Sequence, residues 1–309
     1  MESSSSHPGS APRKAPHPAQ ALTPPPPPPP PPGVALITGA EVDLAYNAAQ
    51  CVVKTHQRLV EFLKVGQTLA AIDTFVARTL AELSCRSCFV GYRVGRSPAF
   101  PSHACLSVND CIVHGTAGSH QKPLKAGDVL KVDIGVWHKG FIGDAAWTYT
   151  FKDFPSPEVE RLVRVGRESL RRGIAAMQPG AELVEFARAV QTCVETEAKF
   201  HLTRGLGGHG IGRKLHGPPY VSNVVPGALE PHGWAEARWR WTPGMLVAVE
   251  PMLAIGTSET KPQGRGADYW PVYTTDGSIA AHFEHDVLIT DSGNRVLTEG
   301  LDELPLVVG

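Results

Sequence analysis

Gly127-Asp128-Val129-Leu130-Lys131-Val132-Asp133 and Gly244-Met245-Leu246-Val247-Ala248-Val249-Glu250 follow one plan: a glycine, an apolar run of strand length, and a carboxylate six positions beyond the glycine. A short apolar run bounded by glycine reads as a buried strand. A second echo lies upstream, where Val65-Gly66-Gln67-Thr68-Leu69 corresponds to Pro179-Gly180-Ala181-Glu182-Leu183. A third is a His-Gly pair before each strand, His114-Gly115 and His216-Gly217. Three landmarks repeated in one order predict an α+β fold of two helix-helix-sheet halves. A pseudo-twofold axis between the halves would bring the carboxylates to the centre.

The helices are read outward from these strands. Thr38-Gly39-Ala40-Glu41 has the spacing of a capping box and opens an amphipathic stretch to about residue 64. Gly66 interrupts it, and Thr68 caps a second helix to about residue 83. Ser156-Pro157, a cap followed by proline at the first helical position, opens a third helix that ends near Pro179-Gly180. A fourth covers about residues 182–199. Strands are expected over residues 129–136, 145–151, 245–253 and 283–289.

Outside this plan, residues 1–32 are rich in Ser, Ala, His and Pro and end in an unbroken proline run. Such a segment has too little apolar surface to offset its conformational entropy, so it is expected to remain an extended, solvated tail. Residues 33–309 are expected to form a single domain. The chain is 42% hydrophobic and 19% charged with a formal net charge of −1, which implies no general attraction to nucleic acid or anionic membrane. Six scattered cysteines do not make a disulfide framework, and no run of 18 apolar residues occurs. A cytoplasmic monomer with no membrane attachment is expected. Cys85-x-x-Cys88 lacks a second pair, so unpaired cysteines are expected there rather than a zinc ribbon. Arg161, Arg164, Arg167 and Arg171 form a stripe at helical spacing, which is most simply a solvated face.

The chemistry resides in the carboxylates. Asp133 and Asp144 bracket a strand, a Lys139-Gly140 turn and a second strand, so a hairpin would bring both acids to one face. Glu250 and Glu284 each interrupt an apolar run, where an unpaired buried charge would cost several kcal/mol. His209 and His216 lie in a glycine-rich stretch whose spacing and glycines rule out the helical His-Glu-x-x-His zinc pattern. Four carboxylates with an imidazole and no thiolate form an oxygen-rich set that suits Mn, Co or Fe(II), with Zn also allowed.

At these residues the chain resembles the pita-bread peptidases, and within them the type I methionine aminopeptidases. The resemblance is carried by Ser107-Val108-Asn109-Asp110 leading to His114-Gly115, by Val132-Asp133-Ile134-Gly135-Val136, and by Gly143-Asp144. It continues through Gly208-His209-Gly210-Ile211-Gly212 with His216, Glu250-Pro251-Met252 and Phe283-Glu284-His285. It implies removal of the initiator methionine from nascent polypeptides whose second residue is small, by water activated on two divalent metal ions. Asp133, Asp144 and Glu284 would hold one ion, and Asp144, His209, Glu250 and Glu284 the other. His114, His216 and Glu250 would be catalytic. Both histidines would contact substrate, and Tyr92, Phe100, Cys105, Leu215 and Trp270 would line a methionine pocket with Cys88 nearby. An enzyme of this kind would also have a use for the arginine stripe, as a transient ribosome contact.

Four positions depart from the family pattern. Gly135 and Ala145 stand where hydroxyl residues are usual, Leu215 where phenylalanine is frequent, and Gly217 where an acidic residue is common. Residues 222–243 form an extra, tryptophan-containing segment. Two other readings share the ligands or the fold. An X-Pro dipeptidase or aminopeptidase generally carries a large N-terminal domain, and a non-catalytic pita-bread module tends to lose ligands.

Overall fold

The computed structural model describes residue 1 and residues 32–227, 233–261, 264–266 and 269–309. All but the two ends of the expected 1–32 tail, and part of the 222–243 segment, lie outside the described residues.

The first half opens with α1 (Ala40–Phe62) and α2 (Leu69–Glu82). Strands β1 (Arg86–Ser87), β2 (Cys105–Val108), β3 (Cys111–Val113), β4 (Val129–His138) and β5 (Phe141–Phe151) follow. The second half repeats the order with α3 (Pro157–Ala176) and α4 (Val184–Gln191). Its strands are β6 (His201–Leu202), β7 (Gly207–Gly210), β8 (Gly217–Ser222), β9 (Leu246–Val249) and β10 (Met252–Ala254). They continue with β11 (Val272–Tyr273), β12 (Ala280–His282), β13 (His285–Thr290) and β14 (Gly293–Val296), and β15 (Val307–Val308) returns to the first sheet. That sheet runs β1-β4-β5-β15, with β2 also on β4; the second runs β14-β13-β9-β7-β8. The expected α+β plan of two helix-helix-sheet halves is therefore present. Its echoes reach the backbone: Gly66 and Gly180 have φ of 91° and 86°, and Gly127 and Gly244 have φ of 83° and 90°. All four sit in the left-handed region, where a side chain would be strained.

Local chemistry explains most element ends. Thr68 and Ser156 accept from Ala71 N and Val159 N, as cap residues should. The capping box at α1 does not form. Gly39 occupies the cap position with no side-chain bond, and the Glu41 carboxylate is drawn to Arg213 at 3.0 Å. The expected fourth helix is α4 followed by a π-turn over Thr192–Glu197, where Ala198 N reaches Cys193 O and Glu195 pairs with Arg204 at 2.8 Å. The β4–β5 hairpin is longer than expected and turns on Lys139 and Gly140, both with positive φ.

The runs at 245–253 and 283–289 are not single strands. Pro251 has no N–H to donate, and β9 ends before Glu250 while β10 joins a different sheet, β12-β10-β6. Likewise β12 ends at His282 and β13 begins at His285, so Phe283 and Glu284 form a junction. The core lies between helices and sheets. In α1 the buried Ala45, Ala48, Ala49, Val52, His56 and Leu59 form one stripe at helical spacing. Among the described residues, no helix is long and apolar enough to cross a membrane.

Three of the four arginines of the stripe have partners within the fold. Arg164 pairs with Glu160 and Arg171 with Glu168, while Arg161 donates to Ala198 O and stacks over Phe200. The described part of the tryptophan segment is structural: Trp234 and Trp241 are buried in the core, and Trp234 Nε1 donates to Tyr220 O.

Candidate metal centre and substrate cavity

The site is assembled where β5 meets the β12–β13 junction. On the hairpin, Asp133 pairs with Ala146 and Gly135 with Asp144, so the two aspartates are diagonal neighbours on one face, as expected. Across the seam Glu284 N donates to Ala146 O at 2.9 Å, and Thr148 Oγ1 donates to His282 O at 2.6 Å. Asp144 N donates to Asp286 Oδ2 at 2.9 Å. The seam thus fixes Asp144 and Glu284 against each other through backbone. Oxygens of Asp144 and Glu284 and a ring nitrogen of His209 lie within 4.8 Å of one another. Glu250 joins them from the end of β9, with His209 Nε2 3.9 Å from its Oε1.

His209 stands on β7 between glycines. A Cβ at Gly208 or Gly210 would collide with the carbonyls of Ala248 and Pro218 on the flanking strands, so only glycine permits this approach. His114 has φ +57°, a strained conformation for a histidine. The preceding turn holds it: Ser107 Oγ accepts from Gly115 N, and buried Lys131 donates through Nζ to Asn109 O at 2.7 Å. Tyr92 Oη and His216 Nδ1 are 2.5 Å apart.

All twelve residues singled out from the sequence line one cavity of about 760 Å³: Asp133, Asp144, His209, Glu250, Glu284, His114, His216, Tyr92, Phe100, Cys105, Leu215 and Trp270. Cys88 does not line it and sits behind Gly135. The acids form the floor. At one end Phe100 meets Trp270 edge to face at 5.4 Å, and these two with Tyr92, Cys105 and Leu215 form an uncharged part of the lining. Glu236, from the tryptophan segment, also reaches the lining.

The electrostatics are those of an anionic cluster lacking counter-charge. Burial, then Glu250, pushes Asp133 up to about 7. Burial raises Asp144, Glu250 and Glu284 well above the carboxylate range, each further disfavoured by a neighbouring acid. Buried Asp133 Oδ1 and Asp144 Oδ1 have no hydrogen-bond partner in the protein. Oxygens without donors, close-set acids and an adjacent imidazole form a donor set that fits divalent cations. The histidines are neutral: burial and then His216 draw His209 down to about 3 and His114 to about 4, and burial lowers His216.

Two residues of the site were not singled out from the sequence. His282 Nε2 lies 3.1 Å from Glu250 Oε2 and groups with Glu250 and Glu284 within 4.8 Å. Asp286 is buried behind Asp144, with one oxygen on Asp144 N and the other unpartnered. Strand alternation gave no signal for them, because Phe283 and Glu284 lie between β12 and β13, which belong to different sheets.

The chain is 35% identical over 261 residues to methionine aminopeptidase 1 of Bacillus subtilis, covering 84% of this chain and 97% of that one. It is 34% identical over 269 residues to a methionine aminopeptidase of Aquifex aeolicus, covering 86% and 99%. The crystal structure of a methionine aminopeptidase from Thermotoga maritima superposes with a TM-score of 0.75 at 31% identity, covering 86% and 99%. With residues 43–291 matching the family model, the chain belongs to metallopeptidase family M24.

Proposed function

We propose that the protein is a methionine aminopeptidase, releasing N-terminal methionine from nascent polypeptides whose second residue is small. The observation that carries this reading is the cavity itself: a floor of unneutralised carboxylates adjoins an uncharged pocket of aromatic and sulfur-bearing side chains. Asp133, Asp144 and Glu284 would hold one divalent ion and Asp144, His209, Glu250 and Glu284 a second, drawn from Co, Mn, Fe(II) or Zn. Such ions, when bound, lower the pKa of water and polarise a carbonyl.

The chain's own groups divide the remaining work. Glu250 accepts the proton of the attacking water and passes it to the leaving amine. Tyr92 donating to His216 Nδ1 leaves the proton on Nε2, which then donates to the developing oxyanion. Neutral His114 offers a lone pair to the peptide N–H beyond the scissile bond. Tyr92, Phe100, Cys105, Leu215 and Trp270 accept an unbranched apolar side chain and exclude Lys or Glu by the cost of desolvation. Six free cysteines, five of them buried, suit a reducing cytoplasm. The enzyme would act there as a monomer, with the arginine stripe as a transient ribosome contact.

The test is a kcat/KM series on Met-Ala-Ser, Met-Lys, Met-Phe, Leu-Ala and Ala-Pro peptides, with and without chelator. Met-Ala-Ser should be cleaved and Met-Lys and Met-Phe spared. Leucine should lose by about 1–3 kcal/mol in the absence of a shape filter. Chelation should abolish turnover reversibly. Cleavage of Ala-Pro without cleavage of Met-Ala would replace this reading with the X-Pro one.

A further inference from the structure

Away from the carboxylate floor, three elements bring soft donors to one point. Cys51 lies on α1, Cys85 in the corner between α2 and β1, and His138 at the end of β4. Their sulfurs and a ring nitrogen lie within 4.8 Å of one another, and Cys85 Sγ is 3.4 Å from His138 Nδ1. Both cysteines are buried and free, and His138 is half-buried. Cys85 also borders a cavity of about 580 Å³, which gives the cluster a path to solvent.

We propose that Cys51, Cys85 and His138 form a second metal site, separate from the carboxylate centre and suited to a zinc ion. In tetrahedral zinc, Zn–S bonds of about 2.3 Å and Zn–N bonds of about 2.0–2.1 Å put neighbouring ligand atoms roughly 3.4–3.8 Å apart. The observed 3.4 Å already meets that spacing, and the third donor needs only a small adjustment. Two thiolates and an imidazole select a thiophilic ion, in contrast to the oxygen-rich floor. Water would fill the fourth position from the cavity. The bound ion would tie α1 and the α2–β1 corner to the strand that carries Asp133, five residues before His138. The tempting Cys85-x-x-Cys88 spacing is thus not the pairing: Cys85 turns to Cys51, and Cys88 packs behind Gly135. The proposal is independent of the aminopeptidase reading.

Cobalt(II) reports on the site, because thiolate ligation gives an intense near-ultraviolet charge-transfer band that carboxylate and imidazole ligands do not. The full-length protein titrated with cobalt should show the band, and zinc should bleach it. Cys85→Ala and His138→Ala should abolish or strongly weaken it. Asp133→Asn, which damages the carboxylate centre, should keep it, as should Cys105→Ala, which removes a sulfur that lines the same cavity as the acids. His138 is half-buried, so His138→Ala keeps the test open if the cysteine variant misfolds. In the Asp133→Asn background zinc should raise the melting temperature, and adding His138→Ala should lower that rise to the part the remaining Asp144, His209, Glu250 and Glu284 ligands give. The proposal is overturned by a band that survives in Cys51→Ala/Cys85→Ala, by its absence from the parent, or by a Cys51–Cys85 disulfide in the freshly isolated protein.

Discussion

The two halves of the molecule carry the same landmarks and use them differently. In the first, Asp133 and Asp144 ride on one uninterrupted hairpin, each held by ladder bonds on a continuous strand. In the second, Glu250 and Glu284 stand at junctions where one strand stops and another begins in a different sheet. A continuous ladder fixes an acid rigidly. A break lets its side chain leave its own sheet and face the other half. The imidazoles follow the same division: His209, His216 and His282 come from the second half, and only His114 from the first. The repeat supplies matched acids, Asp133 and Glu250, and matched histidines, His114 and His216, while the second half adds His209 and His282.

The largest effect is expected when one acid from each half is neutralised. Asp133→Asn and Glu284→Gln should both reduce turnover to background while leaving circular dichroism unchanged. The Asp133 variant carries a second signature. With its carboxyl held up at about 7, the folded chain retains, between about pH 4 and pH 7, a proton that the unfolded chain has released. Stability of the chelated protein therefore falls as pH rises through that window. Asp133→Asn removes this burden, so in chelator it should melt a few degrees above the parent above about pH 7, with the gap closing near pH 4. A lower melting temperature at neutral pH would mean that the acid is not held against its neighbours.

His216→Ala tests the assignment of donor work to the second half. It should lower kcat by about 10²–10³ with KM and bound metal nearly unchanged. Loss of metal in that variant would make His216 a ligand. Tyr92→Phe should reproduce a fraction of the loss, because it frees His216 Nδ1 to take the proton that Nε2 needs.

His282→Gln should have a smaller effect. His282 reaches Glu250 across the junction at 3.1 Å, so it orients the acid that moves protons. Losing such a partner typically lowers activity or metal affinity about 10–100-fold. The loss should appear in kcat and in the pH profile of kcat, since Glu250 is the group disturbed. Parental kcat with raised KM would place His282 on the substrate instead.

These effects also show where the sequence was legible. The glycine-strand-carboxylate repeat exposed the halves, because a positive-φ glycine and an apolar run leave marks in composition. The acids were legible because charge inside an apolar run needs a partner. His282 and Asp286 were not, since their meaning depends on the seam between β5 and the β12–β13 junction, which joins residues far apart in sequence. The junctions themselves were hidden for a similar reason. Hydrophobicity continues through Pro251 and Phe283 while the sheet changes, and apolar content does not say which sheet a strand joins. The Thr38–Glu41 capping spacing misled because Arg213, 172 residues away from Glu41, competes for the carboxylate.

The smallest effect concerns Gly135, the position at which the resemblance to the type I enzymes implies a hydroxyl residue. It lies two residues beyond Asp133 on the same face of β4, and its carbonyl accepts from Cys88 N at 3.0 Å. A Cβ there would run into Cys88 Sγ and the Phe89 ring, so these two side chains already fill the space a hydroxyl residue would need. Gly135→Ser should therefore overpack the hairpin and destabilise the protein by about 1–3 kcal/mol, with a modest fall in kcat as Asp133 shifts. Cys88→Ala alone should destabilise slightly by opening a void. Combined, the two substitutions should cost less than their sum, because the serine occupies the room the sulfur vacates; Phe89 keeps the rescue incomplete. A Gly135→Ser variant with parental melting temperature and unchanged activity would show that the position is open. The missing hydroxyl would then need an explanation other than the packing of Cys88 and Phe89 against the hairpin.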